Sequence, residues 1–264
     1  MVGVDHSLTP SALTDAQVDA YLARIGLPRP ARPDLAALAA LQRAHLGAVP
    51  FENLSVRLDE PIVLEPGALV EKITDRHRGG FCYELNGAFA ELLRALGYRV
   101  SLLSARVFGP TRPGPPFDHM ALRVELDGEG TWLADVGFGR FSELPLRLDG
   151  RGEQTDPAGV FTIVSHGEEL DIRQDGAPQY RLDQRPYELA DFVPTCWWQA
   201  TSPDSYFRRA ATCSRLTEDG RITVSGTHLI RTAPDGSRTE QELDETATLA
   251  AYRTHFGIEL DRLP

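Results

Sequence analysis

Cysteine is scarce in this chain: three in 264 residues, at positions 82, 196 and 213, with no Cys-x-x-Cys pair. Three is too few, and odd, for a disulfide framework, which fits a reducing compartment. Nowhere do about 18 apolar residues run together, so no segment reads as a membrane-spanning helix. The opening Met-Val-Gly-Val-Asp-His-Ser has neither the basic nor the apolar region of an export signal. The expectation is a cytoplasmic protein without a membrane partner. Runs of Lys and Arg are absent as well, and the formal net charge is −11. Neutralising phosphates takes clustered cations, so no nucleic-acid partner is expected. Any anionic ligand must then be held by local donors rather than by the overall field. Fixed-period repeats and low-complexity segments are also missing.

What is present is an ordinary globular composition, 42% hydrophobic and 25% charged, with ample material for a buried core. Thr14 and Gln17 have capping-box spacing. Val18, Tyr21, Leu22 and Ile25 follow at helical intervals before Gly26, so a helix is predicted over 14–25. Asp34 is placed to cap a second helix through Leu35, Leu38, Leu41 and His45, and Pro66 opens a third ahead of Leu69, Val70 and Ile73. A fourth starts near Cys82 and runs through Leu85, Phe89, Leu92 and Leu96 to Gly97. Beyond Gly97 the period falls to two. Short strands are expected near 100–104, 120–126, 132–136, 161–164 and 180–182, with turns at Asp127-Gly128, Asp175-Gly176 and Asp219-Gly220. Strands at 222–225 and 228–231 and a helix over 244–256 complete the chain.

Residues 78–87, Arg-Gly-Gly-Phe-Cys-Tyr-Glu-Leu-Asn-Gly, put Cys82 in the first turn of the fourth helix. Unpaired N–H groups and partial positive charge gather at a helix N-terminus, which favours thiolate over thiol. A base to serve this sulfur is available in His119, which opens the apolar strand Met120-Ala-Leu-Arg-Val after a Pro/Gly-rich loop. Asp135 follows 16 residues later inside the apolar run Trp132-Leu-Ala-Asp-Val-Gly-Phe. A carboxylate there needs partners, because stripping its hydration costs several kcal/mol. A hairpin centred on Gly128 would set His119 and Asp135 on one face, and a register shifted by one would set them on opposite faces. The residues alone leave two readings open: a Cys-His-Asp constellation for nucleophilic catalysis, or a buried cysteine and a core histidine. Cys196, beside Trp197 and Trp198, and Cys213 read as core or edge residues. A zinc site from Cys82, His119 and Asp135 lacks any short-range ligand pair, so no metal is expected.

The segments Arg78-Gly79-Gly80-Phe81-Cys82, Asn86-Gly87, Asp118-His119-Met120 and Asp135-Val136-Gly137-Phe138-Gly139-Arg140 together resemble the arylamine N-acetyltransferases. So do Pro50-Phe51-Glu52-Asn53-Leu54 and Ser202-Pro203-Asp204-Ser205-Tyr206-Phe207, in the right order along most of the chain. The resemblance implies an α+β fold in three parts. A helical domain at 1–97 carries the nucleophile, a β-barrel-like antiparallel domain at 98–205 carries His119 and Asp135, and an α/β lid occupies 206–264. The site is expected between the first two, as in papain-like enzymes. It also implies a Cys82-His119-Asp135 triad that takes acetyl from acetyl-CoA as a thioester and passes it to an arylamine or arylhydrazine nitrogen. Phe138 matches the residue lining the acceptor pocket, and Gly137 and Gly139 match positions for a coenzyme A contact. Arg78 and Glu52 match a charged pair bracing the active-site helix. Two departures stand out: cysteine at 196, where the family has asparagine before the tryptophan, and a proline-rich loop before His119. An amide synthase of the same family acting on a bulky acyl thioester is the nearest alternative. A cysteine hydrolase and a non-catalytic binding protein are the alternatives of other classes.

Overall fold

The computed structural model describes residues 13–264. The N-terminal residues read for an export signal lie outside the described residues. Helix α1 (Asp15–Ile25) begins as expected: the Thr14 hydroxyl accepts from the Gln17 N–H at 3.3 Å while Gln17 Oε1 accepts from the Thr14 N–H at 3.0 Å. It stops at Gly26, whose φ of +73° suits a residue without a Cβ. Helix α2 (Leu35–Ala48) is capped by Asp34, which accepts from the Ala37 N–H at 2.9 Å. A two-residue strand β1 (Phe51–Glu52), the single turn α3 (Leu54–Arg57) and α4 (Pro66–Thr74) lead to α5 (Cys82–Ala95). Every residue of α5 from Cys82 to Leu93 is buried. It is the axis of the helical region, packed between α1 and α4 on one side and sheet on the other.

That sheet is antiparallel and eight-stranded: β2 (Arg99–Val107), β3 (His119–Leu126), β4 (Gly130–Ala134), β5 (Leu146–Arg147), β6 (Gln154–Asp156), β7 (Gly159–His166), β8 (Glu169–Gln174) and β9 (Ala177–Tyr187), in the spatial order β5-β4-β3-β2-β9-β8-β7-β6. Its edges β5 and β6 are tied by a side chain that imitates a ladder pair. Gln154 Oε1 accepts from the Arg147 N–H at 2.6 Å, and Gln154 Nε2 donates to the Arg147 carbonyl at 3.0 Å. The result is the nearly closed barrel the sequence led us to expect. Leu103, Ala121, Leu133, Phe161 and Ile172 fill its interior, while Leu102, Met120, Leu122 and Val124 face the α5 side. Both faces of β3 are therefore covered, which is why its sequence reads as an almost unbroken apolar run.

After β9 a 3-10 turn at Leu189–Phe192 precedes α6 (Val193–Thr201). Strands β10 (Thr212–Thr217), β11 (Gly220–Ser225), β12 (His228–Thr232) and β13 (Arg238–Glu242) then join β1 in a second antiparallel sheet, ordered β1-β10-β11-β12-β13. Helix α7 (Glu245–Phe256) covers one face through Ala251, Tyr252 and Phe256, packed against Cys213, Ile222, Val224 and Leu229. Where two strands were expected here there are five. β13 is exposed along its whole length and carries no apolar alternation. Helix α6 was not anticipated either: it buries only Cys196 and Gln199 and turns Trp197 outward, so no apolar stripe marks it. No helix among the described residues is long and apolar enough to cross a membrane.

His45 of α2 lies fully buried between the rings of Tyr21 and Phe89, at centroid distances of 5.9 and 5.3 Å. Neither ring nitrogen has a hydrogen-bond partner among the described residues. Burial, and then the positive charge of Arg24, push its pKa down to about 3. The native state keeps the ring neutral while the unfolded chain takes a proton below about pH 6.5, so this residue erodes stability as pH falls from there. Between pH 7 and pH 5 the loss is about 2 kcal/mol. In urea titrations at those two pH values, His45→Leu is expected to shrink the pH-dependent difference by that amount. An unchanged difference would mean that His45 is protonated in the fold.

Candidate active site

The Gly-Gly pair ahead of α5 is demanded by close packing. A side chain on Gly79 would strike the Pro50 carbonyl, and one on Gly80 would lie 2.5 Å from Glu84 Oε2. The turn brings Arg78 onto Glu52, with Nε donating to Oε1 at 2.9 Å and Nη2 to Oε2 at 3.3 Å. Glu52 Oε2 also accepts from the Leu54 N–H at 2.6 Å. Despite full burial, Glu52 is held below the usual carboxylate range by Lys72 and Arg78. Lys72 continues the network to Glu84 Oε1 at 2.5 Å, and Glu84 Oε2 accepts from the Phe81 N–H at 3.2 Å. A chain of buried charges thus reaches from Arg78 to the first turn of α5. Lys72 and Glu84 were not singled out in the sequence, although Glu84 sits at the third helical position, where a carboxylate favours the N-terminus.

Cys82 is the first residue of α5 and is buried. At this sulfur burial outweighs the helix terminus that was expected to favour its thiolate. Burial pushes the thiol well up, Met120 opposes this through a backbone hydrogen bond, and Cys196, Asp135 and Asp118 add to the rise. Met120 directly follows His119, so that hydrogen bond sets the sulfur beside the start of β3.

Strands β3 and β4 pair Leu122 with Ala134, a register centred on Gly128. His119 and Asp135 therefore fall on one face, and His119 Nε2 meets Asp135 Oδ2 at 2.7 Å. Asp135 is almost fully buried, and three further donors complete its shell. The Tyr180 hydroxyl donates to Oδ2 at 3.1 Å, and Asn86 Nδ2 and the Gly137 N–H each donate to Oδ1 at 2.9 Å. With both oxygens so engaged, Asp135 acts as an ionised acceptor. His119 Nε2 must then carry the proton it donates, which leaves Nδ1 free to accept one. Burial, followed by the Asp135 charge, pushes the Tyr180 hydroxyl up, so it stays a donor.

Asn86 does more than touch Asp135. Its Nδ2 also donates to the Met120 carbonyl at 2.6 Å, and its Oδ1 accepts from the Val136 N–H at 2.9 Å. One side chain, a helical turn beyond Cys82, thus joins α5 to β3 and to the loop that follows β4. Its i+4 spacing from the cysteine was the available signal. Tyr180, 45 residues from Asp135, offered none.

Cys82, His119, Gly137, Phe138 and Gly139 line one cavity of about 440 Å³. The half-buried Phe138 ring stands edge-on to His119 at 5.0 Å and to Tyr180 at 5.2 Å. It presents an apolar wall beside the imidazole. A Cβ on Gly137 would sit 2.7 Å from Cys82 Cα, so its bareness serves the seating of 135–138 against α5. Gly139 takes φ +90°, a conformation open to glycine. Across the cavity, Asn53 Nδ2 donates to the carbonyls of Phe207 and Ala210, both at 2.8 Å, and holds the segment before β10 against the helical region. A second hollow of about 460 Å³, beside Cys196 and Trp197, contains none of Cys82, His119 or Asp135. Its carboxylates Asp59 and Glu60 are engaged by Arg208 and Arg78. No metal-ligating cluster of three occurs among the described residues.

The family model described as N-acetyltransferase matches residues 34–263. An arylamine N-acetyltransferase of Escherichia coli is 34% identical over 249 residues, covering 91% of this chain and 88% of its own. One of Mycolicibacterium smegmatis is 35% identical over 254 residues, covering 92% of each chain. In structure, the chain superposes on the Mycobacterium marinum arylamine N-acetyltransferase in complex with CoA with a TM-score of 0.84 at 31% identity, covering 91% of this chain and 92% of that one. With this likeness running through both sheets and the helices between them, the chain belongs to the arylamine N-acetyltransferase family.

Proposed function

We propose that the chain transfers an acetyl group from acetyl-CoA to the nitrogen of an arylamine or arylhydrazine through a thioester on Cys82. The observation that carries this reading is the Asp135 shell, which holds His119 through Nε2 and leaves Nδ1 without a hydrogen-bond partner among the described residues, in the cavity that also holds Cys82. In the first half-reaction the sulfur attacks the acetyl carbonyl, its proton passes to His119 Nδ1, and the coenzyme thiolate leaves with that proton. In the second, the amine nitrogen attacks the acetyl-enzyme, gives up a proton to His119, and the thiol is restored. Asp135 stays ionised throughout and stabilises the imidazolium. Tyr180 and Asn86 act as positioning residues on that carboxylate. Phe138 offers an aromatic wall to the acceptor ring, and Gly137 and Gly139 line the cavity that would take the pantetheine arm. The Arg78–Glu52 pair fixes the turn from which α5 starts.

The chemistry divides among three parts of the chain: helices supplying the sulfur, a barrel supplying the imidazole and carboxylate, and a C-terminal sheet closing the cavity. A cytoplasmic setting suits a reduced thiol and an acyl-CoA donor. The transfer reading is tested by intact mass after mixing with acetyl-CoA alone. One acetyl group is expected on the wild-type chain, released by an aromatic amine, and none on Cys82→Ala. An adduct on Cys82→Ala would refute the assignment of the nucleophile.

Because burial and nearby carboxylates push the Cys82 thiol up, its thiolate at neutral pH depends on handing the proton to His119. For His119→Ala, the rate of alkylation by iodoacetamide is expected to fall at least tenfold at pH 7 and to recover only as the pH rises well above it. A profile matching the wild type would show that another group takes the proton.

A further inference from the structure

Four non-glycine residues among the described ones take a positive φ: Asp59, His77, Phe117 and Asp175. Aspartate and histidine are enriched in that region, whereas a bulky aromatic residue is an outlier there. Phe117 stands at φ +63°, two residues before His119, where the chain leaves the proline-rich loop and enters β3. Strain of this kind persists only where the surroundings hold it, and it gathers at functional sites. Here the Phe117 N–H donates to Ser104 Oγ of β2 at 2.9 Å. Its ring meets those of Tyr187 and Phe192 edge-on, at centroid distances of 4.8 and 5.2 Å. Its carbonyl accepts from the Tyr83 hydroxyl at 2.8 Å, and the Asp118 carbonyl lies 3.4 Å from the same hydroxyl. Tyr83 directly follows Cys82 on α5 and is completely buried, with its ring edge-on to Phe81 at 5.0 Å. Burial first, and then the charge of Cys82, push the hydroxyl well up, so it stays a donor. The neighbour of the nucleophile thus grips the peptide that leads into His119, while Asn86 of the same helix grips the Met120 carbonyl just beyond it.

We propose that Tyr83 is a positioning residue for His119: its hydroxyl holds the Phe117–Asp118 peptide in the strained turn and so keeps the imidazole within reach of Cys82. This deepens the acetyl-transfer reading and rests on its transfer of the Cys82 proton to His119. The hydrogen bond from His119 Nε2 to Asp135 Oδ2 fixes one nitrogen and leaves the swing of the ring to the backbone that carries it. Where β3 begins decides that swing. Without the hydroxyl the turn at Phe117 relaxes toward negative φ and displaces Asp118 and His119 with it.

Tyr83→Phe in the full chain removes the hydroxyl and keeps the ring. In single turnovers, the rate constant for Cys82 acetylation at saturating acetyl-CoA is expected to fall about tenfold while the half-saturating concentration stays within about twofold, the mark of a misplaced catalytic group rather than lost binding. Alkylation of Cys82 by iodoacetamide at pH 7 is expected to slow by a similar factor and to recover as the pH rises, because the thiol then ionises without the imidazole. A lower Tm with wild-type acetylation and alkylation overturns the proposal, since the hydroxyl would then serve stability alone. Tyr98→Phe removes another hydroxyl of a buried tyrosine, bonded to the Asp34 carbonyl at 3.0 Å, and is expected to leave both rates unchanged; equal slowing there overturns the proposal as well. Should Tyr83→Phe fail to fold, Ser104→Ala frees the N–H end of the same turn and is expected to slow both rates, and wild-type rates in that variant overturn it. His119→Ala run alongside keeps two failures apart. A wild-type alkylation profile there refutes the proton transfer itself, whereas a slowed His119→Ala beside an unaffected Tyr83→Phe refutes only the role of Tyr83.

Discussion

Everything around the cavity is organised by one buried charge. Asp135 lies near the end of the β4 run, out of water, and a carboxylate there is tolerable only because both oxygens are fully engaged. Its four donors come from α5, β3, β9 and its own loop, so satisfying the charge fixes the helix and the barrel against each other. The same bonds set the histidine tautomer. Stability and chemistry are coupled here: each donor that orients the imidazole also offsets a desolvation cost of several kcal/mol.

A second consequence concerns the sulfur. A helix N-terminus favours thiolate, and burial disfavours it; in this fold burial prevails at Cys82. A buried neutral thiol is inert toward most electrophiles, so the proposed transfer needs a base to take its proton. Beneath α5 the charge network closes with Lys72 on Glu84 at 2.5 Å.

How much of this was legible in the sequence depended on range. The capping box at Thr14, the stop at Gly26 and the start of α5 are local events, written in residues three or four apart. The β3–β4 register was readable as one of two choices because a tight turn at Gly128 limits the alternatives, and the centred one is realised. Pairing of Arg78 with Glu52 came from the family resemblance and takes the form expected, although its extension through Lys72 to Glu84 did not come with it. Tyr180 was invisible, because nothing in a strand's alternation tells which hydroxyl will find a carboxylate across a barrel. The β10 and β13 strands escaped for a different reason. Their polar residues face a cavity or water, so the apolar period that marks a half-buried strand is missing.

That missing period is itself informative about the cavity. A sheet that covers an active site on one face and a helix on the other must be apolar toward the helix and polar toward the substrate. Polar residues at alternate positions of β10 and β11 accordingly line that cavity. At Arg221 the point sharpens, because an arginine taken largely out of water beside another arginine is unfavourable for the empty protein. Folding alone gives no reason to put it there, since Arg238 on the same face is given Glu240 and Arg221 is not. A long-range field could not stand in for that pair either, because the net charge of −11 repels anions from most of the surface. Inside the cavity Arg140 and Arg221 supply positive charge locally, beside the hydroxyls of β10 and β11.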